Sequence, residues 1–500
     1  MKTNIIITAL AGIFITSCNK LNIPPETALS SETFFKTESD FKQAVNGAYA
    51  PLRNIANDRA WVLGELHSDN TYYARNILFG AVDNTENVAD FAVPTDKGIT
   101  TNANVLNQYR LDYLIIARAN QILATIDGID FNADSKNNLR GQALFLRAYA
   151  YFELVRYFGK VPLHLTPVIE RSEAALPLTS TDSLYAQIDK DGSEAAQLLL
   201  PKSTQEAGRA TSGAAKTLLA NLYIVQKRWA DAEKVLKEIE NSGEYSLIPD
   251  YKDVFSTSTG NKNNAESVFE VQYMEGSAGY SGNFMYLFIP SPITAAELQP
   301  ITGTSNPQSI SGEDNNIPTP DMIAAYEPGD KRKDASIAYV TLSQSLRENK
   351  VYPYIKKYAK PHALHNNTGI NWPVYRYSEV LLFLAEALNE QGKTADAAPY
   401  LNRIRTRAGL SASSASGQVD MRAAIYHERR VELAFENKRW FDLVRTGRVQ
   451  EVITAYGNRI KAHPEDYYFP KGAVPPSNAF TNLDLYYGLP ADEAALSPYF

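Results

Sequence analysis

Two stretches of the chain are written to one pattern, and that pattern restricts the fold more than any other feature. In TLLANLYIVQKRWADAEKVLKEI, Ala220 precedes Ala232 by twelve residues, and Leu236 and Ile239 follow Ala232 at +4 and +7. In LFLAEALNEQGKTADAAPYLNRI, Ala385 precedes Ala397 by the same twelve, with Leu401 and Ile404 again at +4 and +7. Small residues at these spacings let two antiparallel helices approach closely, while the larger ones fill the seam. This is the pattern of a tetratricopeptide unit. A hairpin of this kind cannot bury its apolar face alone, so such units stack on their neighbours. Looser helical pairs at about 104–158 and 420–446 extend the series. The expectation is a mainly α protein, a tetratricopeptide-like α superhelix.

Other segments fit the same architecture. SDFKQAVNGAYAPLR sets Phe41, Val45, Ala48 and Leu52 on one apolar stripe, with Ser39 as the expected N-cap. The helix expected over 136–158 is apolar on almost every side, with Phe145, Ala148, Tyr149, Phe152 and Val155 on one face and Leu144, Leu146, Tyr151 and Leu154 on others. Such a helix must be packed on several sides. Residues 246–372 are different, rich in Gly, Ser, Asn, Thr and Pro, with short β-like pieces in ESVFEVQY (266–273) and VYPYIKKY (351–358). A loop-rich, partly β insertion into a helical protein is where function tends to lie. The division expected is a single domain over 38–500, with helical repeats at about 38–245 and 373–450 and the insertion at about 246–372.

The N-terminus speaks to location. Lys2 and the apolar run Ile5 to Ile15 have the build of a secretory signal, too short to span a bilayer. Thr16 and Ser17 lead into Cys18, the one cysteine of the chain, at a place that resembles the processing site of a bacterial lipoprotein. Residues 1–17 would be removed, Cys18 would carry the lipid, and 18–37, with Pro24-Pro25, would be an extended tether. A lone cysteine excludes an intrachain disulfide framework and any CxxC site. The formal net charge is −7, and no basic tract exceeds Lys331-Arg332-Lys333, so nucleic acid is not an expected partner. Thirty tyrosines and twenty phenylalanines against five methionines are unusual, and tyrosine pairs a stacking face with a hydroxyl, which suits polar surfaces and sugar contacts as well as cores.

Longer blocks carry a family resemblance. RAYAYFELVRYFGKVPL (147–163), VYRYSEVLLFLAEALNEQGKTADAAPYLNRIRTRAGL (374–410) and IYHERRVELAFENKRWFDLVRTG (425–447) resemble the three signature blocks of the SusD/RagB family. The opening from Cys18 and PDMIAAYEPGDKRKDASI are similar to its start and mid-chain block. The C-terminal block departs from the family's Pro-rich phrase, keeping only Leu489-Pro490, Glu493 and Ser497-Pro498. The resemblance implies a surface-exposed outer-membrane lipoprotein that binds oligosaccharides, or in some members peptides. It would close as a hinged lid over a SusC-type TonB-dependent transporter, its partner, and would be anchored to the membrane by lipid alone.

Sugar binding without catalysis needs flat aromatic faces together with carboxylates, amides and arginines for hydroxyls. Trp61 and Trp372 fall near expected loops and are the stacking candidates, with core packing as the alternative; Trp229 and Trp440 read as core. ELHSDNTYYARN (65–76) gathers Asp69, Asn70, Tyr72, Tyr73, Arg75 and Asn76 in a post-helix loop that the family commonly uses for ligand contact. The bland reading is a capped, solvated turn. GYSGNFMYLF (279–288) offers Tyr280, Asn283, Phe284 and Tyr286, and its alternation of Phe284, Tyr286 and Phe288 reads as one face of a strand.

Glu428, Glu432 and Glu436, with Arg429, Arg430 and Arg439, read as an ion-paired helix face and not as acid–base machinery. There is no GxSxG, HExxH, CxxC or GxGxxG motif. Gly392-Lys393-Thr394 imitates the end of a phosphate loop but sits in a helix-to-helix turn, and His362 and His365 form an HxxH pair in a loop. No enzyme, cofactor or metal is expected. The readings left open beside glycan delivery are a peptide-binding member of the same family, a tetratricopeptide docking scaffold without a small ligand, and a glycosidase.

Overall fold

The computed structural model describes residues 34–57, 61–73, 84–255, 262–311 and 316–499. The protein is mainly α. Eleven helices matter to the argument: α1 (Glu38–Asn57), α2 (Ala103–Thr125), α3 (Ala133–Phe158), α4 (Thr181–Leu198), α5 (Ser212–Val225), α6 (Trp229–Asn241), α7 (Tyr377–Glu390), α8 (Thr394–Arg407), α9 (Gln418–Glu432), α10 (Arg439–Arg445) and α11 (Val449–Ala462).

Polar side chains start several of these helices. Asn102 accepts from the Asn104 and Val105 amides, Asn132 from Ser135, Ser180 from Ser183 and Thr211 from Ala214. For α1 the cap is Thr37, not Ser39: the Thr37 hydroxyl accepts from the Asp40 amide at 3.4 Å, and the Asp40 carboxylate accepts from the Thr37 amide at 2.8 Å. This reciprocal exchange satisfies two donors and outcompetes a cap two residues later.

The hairpins have the seams the spacing demands. Ala220, Ala232, Ala385 and Ala397 are fully buried, as are Leu236, Leu401 and Ile404. Consecutive helices α2 and α3, α4 and α5, α5 and α6, and α7 and α8 pack side by side. Helix α7 also packs on α6, so the array continues across the insertion as though the chain had not left it. The central helix α3, apolar all round, is buried along most of its length. One continuous hydrophobic core runs from Phe41 to Leu489.

The insertion contributes two antiparallel strand pairs. Strand β1 (Ser267–Val271) pairs with β4 (Trp372–Arg376), and β2 (Ile337–Thr341) pairs with β3 (Val351–Ile355) in the register Ile337 to Ile355 through Thr341 to Val351. The stretch expected to be a strand around Phe284 is instead a short 3-10 helix, Phe284–Phe288. Its turns point Phe284, Met285, Tyr286 and Phe288 inward together, where strict alternation would have turned half of them out. At the other end, Leu489 and Pro490 pair in parallel with Ile99 and Thr100, and the Tyr487 amide donates to the Tyr157 carbonyl at 2.8 Å. The divergent C-terminal block thus still closes onto α3.

The glutamates of the last signature block do form ion pairs, and these pairs lie inside the molecule. Glu428 and Glu432 lie in α9, and Glu436 follows its end. Arg332 reaches Glu428 at 2.5 Å and Glu432 at 3.1 Å; Arg376 reaches Glu266, Glu432 and Glu436 at 2.5–2.9 Å; Lys357 reaches Glu436 at 2.6 Å. Burial pushes the Glu432 carboxyl upward, yet the guanidiniums of Arg407, Arg376 and Arg332 outweigh it and hold Glu432 well below the carboxylate range. The network ties β4 and the insertion to α8 and α9.

Candidate functional site

Among the residues singled out from sequence, burial divides the set. Trp61, Tyr72, Tyr73 and Phe284 are fully buried, and Asp69, Asn70, Tyr286 and Trp372 are buried as well. None of these eight presents a free ring or hydroxyl-binding group to a ligand, which corrects the expectation for each. Arg75 and Asn76 lie outside the described residues, as does Cys18.

The buried residues have structural partners that explain their types. Trp61 meets Phe288 edge-on at 5.2 Å, Phe284 meets Trp372 edge-on at 5.2 Å, and Trp372 stacks on Tyr358 at 5.6 Å. Both tryptophans therefore belong to one aromatic cluster under the insertion. Tyr72 and Tyr73 stack at 4.5 Å and both donate their hydroxyls to the Asp90 carboxylate. Asp69 receives Arg439 at 2.7 Å and Arg430 at 2.9 Å. Burial alone would raise its carboxyl, but these two cations hold it at about 2. Asn70 donates to Glu65 at 3.1 Å and accepts from Arg430 at 2.8 Å. Tyr286 bonds His362 Nε2 at 2.5 Å and lies 4.6 Å edge-on from His365, which absorbs the HxxH pair into packing.

Tyr280 and Asn283 behave differently: both are exposed, Tyr280 to 46%. Tyr280 forms part of the wall of a groove of about 470 Å³, which Asn283 does not line. One wall is α1, where Asn46, Tyr49 and Arg53 follow one another at helical spacing on a single face. The floor is the end of β1, through Glu270, Val271 and Gln272, and the far rim is the turn 206–209. That turn requires glycine twice over, because Gly208 has a φ of +86° and a β-carbon there would lie 2.6 Å from the Gln272 side chain.

Tyr280 is held in place by the backbone around it. The Met274 amide donates to the Tyr280 carbonyl at 2.8 Å, Gly282 bridges Thr368 at 2.7 and 2.9 Å, and Asn57 bonds Ser281 and Asn283 from α1. The Arg53 guanidinium lies over the Tyr280 ring, 4.6 Å from its centre. Arg209 donates to Asn46 at 2.7 Å, to Gln142 at 3.2 Å and to Glu206 at 2.5 Å. Two cations, Arg53 and Arg209, face two acids, Glu206 and Glu270, so the groove is balanced in charge while offering donors and acceptors around one aromatic ring.

Arg53, Arg209 and Gln272 were not singled out from sequence. Arg53 had a usable signal, because Asn46, Tyr49 and Arg53 form a polar strip beside the apolar stripe of α1. Gln272 and Arg209 had none, since their meeting depends on β1 packing against the helices. Among the described residues, no group of three or more His, Cys, Asp or Glu could hold a metal ion, and no helix is long and apolar enough to cross a membrane.

Comparison with known proteins gives these features a context. Residues 23–224 match a family model described as SusD-like, starch-binding and associating with outer membrane, and residues 328–493 match the SusD family model. The chain belongs to the SusD-like family. The SusD-like protein P2 of Formosa agariphila is 27% identical over an alignment covering 96% of this chain and 94% of that protein. A SusD homologue from Bacteroides thetaiotaomicron superposes with a TM-score of 0.74 at 21% identity, covering 94% of this chain and 97% of the other. Surface glycan-binding protein A from Bacteroides thetaiotaomicron, solved in complex with laminarihexaose, superposes with a TM-score of 0.69 at 23% identity, covering 84% and 93%. The SusD-like matches enclose α1 to α5 and α7 to α11, whereas β1, Gln272 and Tyr280 fall between them. The groove therefore joins a wall inside one matched region to a segment that lies between the two matched regions.

Proposed function

We propose that this SusD-like protein binds an oligosaccharide at the cell surface and delivers it to a SusC-type TonB-dependent transporter in the outer membrane. The observation that carries the reading is the groove at Tyr280, an exposed ring backed by Arg53 and ringed by amides and paired charges. Its volume lies within the ordinary range for small-ligand sites, about 300–1,000 Å³. The laminarihexaose complex of a SusD-like-fold neighbour supports the choice of glycan. Stacking on Tyr280 and hydroxyl bonds to Gln272, Asn46 and Arg209 would hold the ligand. Cys18 would carry the lipid that keeps the protein on the membrane, and closure over the transporter would be favoured by ligand that touches both.

The role is binding and not hydrolysis. A glycosidase needs two opposed carboxyl groups free to act on the scissile bond. Here Glu206 pairs with Arg209, and Glu270 accepts from the Asn263 amide at 2.6 Å and the Asn371 side chain at 2.7 Å.

The test is a thermal-shift screen of the purified protein against β-glucan, α-glucan and host-type oligosaccharides, with peptides alongside. A ligand bound by the folded state alone raises the melting temperature by mass action. A shift with one glycan class that Tyr280→Ala reduces is the expected result. A shift with peptides alone would replace glycan by peptide, and sugar release from any glycan would overturn the binding role.

A further inference from the structure

Equal numbers of charges in the Tyr280 groove do not leave every charge paired. Arg209 donates to Glu206, Asn46 and Gln142, so all three of its nitrogens are engaged. Glu270 is answered by the Asn263 amide and the Asn371 side chain. Two lysines nearby also feel it: burial lowers the pKa of Lys202 and of Lys262, and the Glu270 charge works against that. Neither lysine has a carboxylate within ion-pair distance among the described residues; Lys202 donates to the Asn264 and Ser267 carbonyls and Lys262 to the Tyr273 carbonyl.

Arg53 is the charge that remains. Among the described arginine side chains it alone has neither a hydrogen bond nor an ion pair, its one contact being the Tyr280 ring. Its donors are open to the groove and not sealed inside the protein. Arg53 is half-buried and lines the groove, and none of its three nitrogens is a buried atom without a partner, so each keeps surface open to solvent.

Both members of the stack are held from behind. The Arg53 carbonyl accepts from the Tyr273 hydroxyl at 2.6 Å, and Asn57, one turn further along α1, bonds Ser281 and Asn283 on the far side of Tyr280. A guanidinium held over a ring keeps its edge donors for an acceptor in its own plane. A sugar hydroxyl can take one of them. A carboxylate or sulfate takes two, through charge-assisted bonds about twice as strong as neutral ones. The two acids of the wall oppose such a group little, because Glu206 is paired with Arg209 and Glu270 lies in the field of Lys202 and Lys262.

We propose that the glycan taken by this groove is acidic, with a carboxylate or sulfate group of the sugar chain seated on Arg53. The inference rests on the glycan-binding reading and adds the substrate class to it. Oligogalacturonate, oligomannuronate and sulfated galactan oligosaccharides, each beside its carboxyl-reduced or desulfated form, are added to the thermal-shift screen, and calorimetry follows on any pair that shifts. The acidic member of a pair is expected to bind at least about tenfold more tightly than its neutral form, to weaken as sodium chloride rises, and to lose that advantage in Arg53→Gln. Which pair responds tells carboxylate from sulfate. Shifts with neutral glycans alone would overturn the acidic class and leave glycan binding standing. So would Arg53→Gln weakening both members of a pair equally, or acidic binding that salt does not touch. Shifts with peptides alone, or none at all, would remove the glycan reading and this inference with it.

Discussion

Lys227 and Gly392 hold the same place in the two hairpins, each seven residues after the hairpin's first alanine, and both take left-handed backbone with φ of 58° and 77°. The bonds around them match too: Arg228 donates to the Tyr223 carbonyl and Lys393 to the Leu388 carbonyl. One turn therefore pays a β-carbon penalty that the other avoids. Gly392 has nothing within 4 Å of where a β-carbon would stand, so the penalty there is conformational and not steric. Gly392→Ala is expected to lower unfolding free energy by about 1 kcal/mol, and Lys227→Ala to change it little. Urea denaturation of both variants checks this, and equal losses would show that the turn is not set by backbone handedness.

The buried ion network separates two kinds of salt bridge. Arg376 is 3% exposed at its side chain and serves three glutamates, whereas Arg448 and Glu451 pair at 38% and 70% exposure. Removing one partner from a buried pair strands the others, at about 3–5 kcal/mol. An exposed pair is screened and contributes about 0.5 kcal/mol or less. Arg376→Met is expected to show the large loss and Arg448→Ala the small one in the same denaturation assay. Comparable losses would mean that solvent reaches the Arg376 network.

The difference between what was and was not legible follows from where the information sits. The hairpins could be read because Ala220, Ala232, Ala385 and Ala397 meet partners a dozen residues away, within one repeating unit. The burial of Trp61 and Trp372 could not, because the rings that cover them, Phe288, Phe284 and Tyr358, come from parts of the insertion distant along the chain. A tryptophan in a loop looks the same whether or not distant chain folds over it. The exposure of Tyr280 was legible for the opposite reason: glycines and serines on both sides leave nothing local to cover it. The groove's arginines escaped notice because an arginine on a helix has many uses, and only the approach of β1 selects one.

His67 gives a pH dependence. Its ring is buried, stacked on Phe91 at 4.0 Å and edge-on to Trp440 at 4.4 Å, and Nδ1 lies 2.7 Å from the Val88 carbonyl, so Nδ1 carries the proton. Burial lowers its pKa to about 4. The unfolded chain, with an ordinary imidazole near about 6.5, binds a proton first as pH falls. Stability is therefore lost between about pH 6.5 and 4, by up to about 3 kcal/mol, and is unaffected by His67 above pH 7. The slope of unfolding free energy over that window is expected to be flatter in His67→Phe. An unchanged slope would assign the acid sensitivity to other groups.

Trp61 and Tyr280 are aromatic residues in opposite surroundings. Trp61 is wholly buried and Tyr280 nearly half exposed, so the same truncation should act on different properties. Trp61→Ala opens a large hole beside Phe288 and is expected to cost about 3–5 kcal/mol of stability, with glycan affinity following only the folded fraction. Tyr280→Ala removes a ring whose exposed area contributes little to folding, leaving the melting temperature within about a degree of wild type. It forfeits an aromatic contact of about 1 kcal/mol, which is about fivefold in Kd. Calorimetry with the glycan found by the thermal-shift screen, run at a temperature where both variants are folded, distinguishes the two. If Tyr280→Ala binds like wild type while Trp61→Ala does not, the ligand sits over the aromatic cluster and not in the α1 groove.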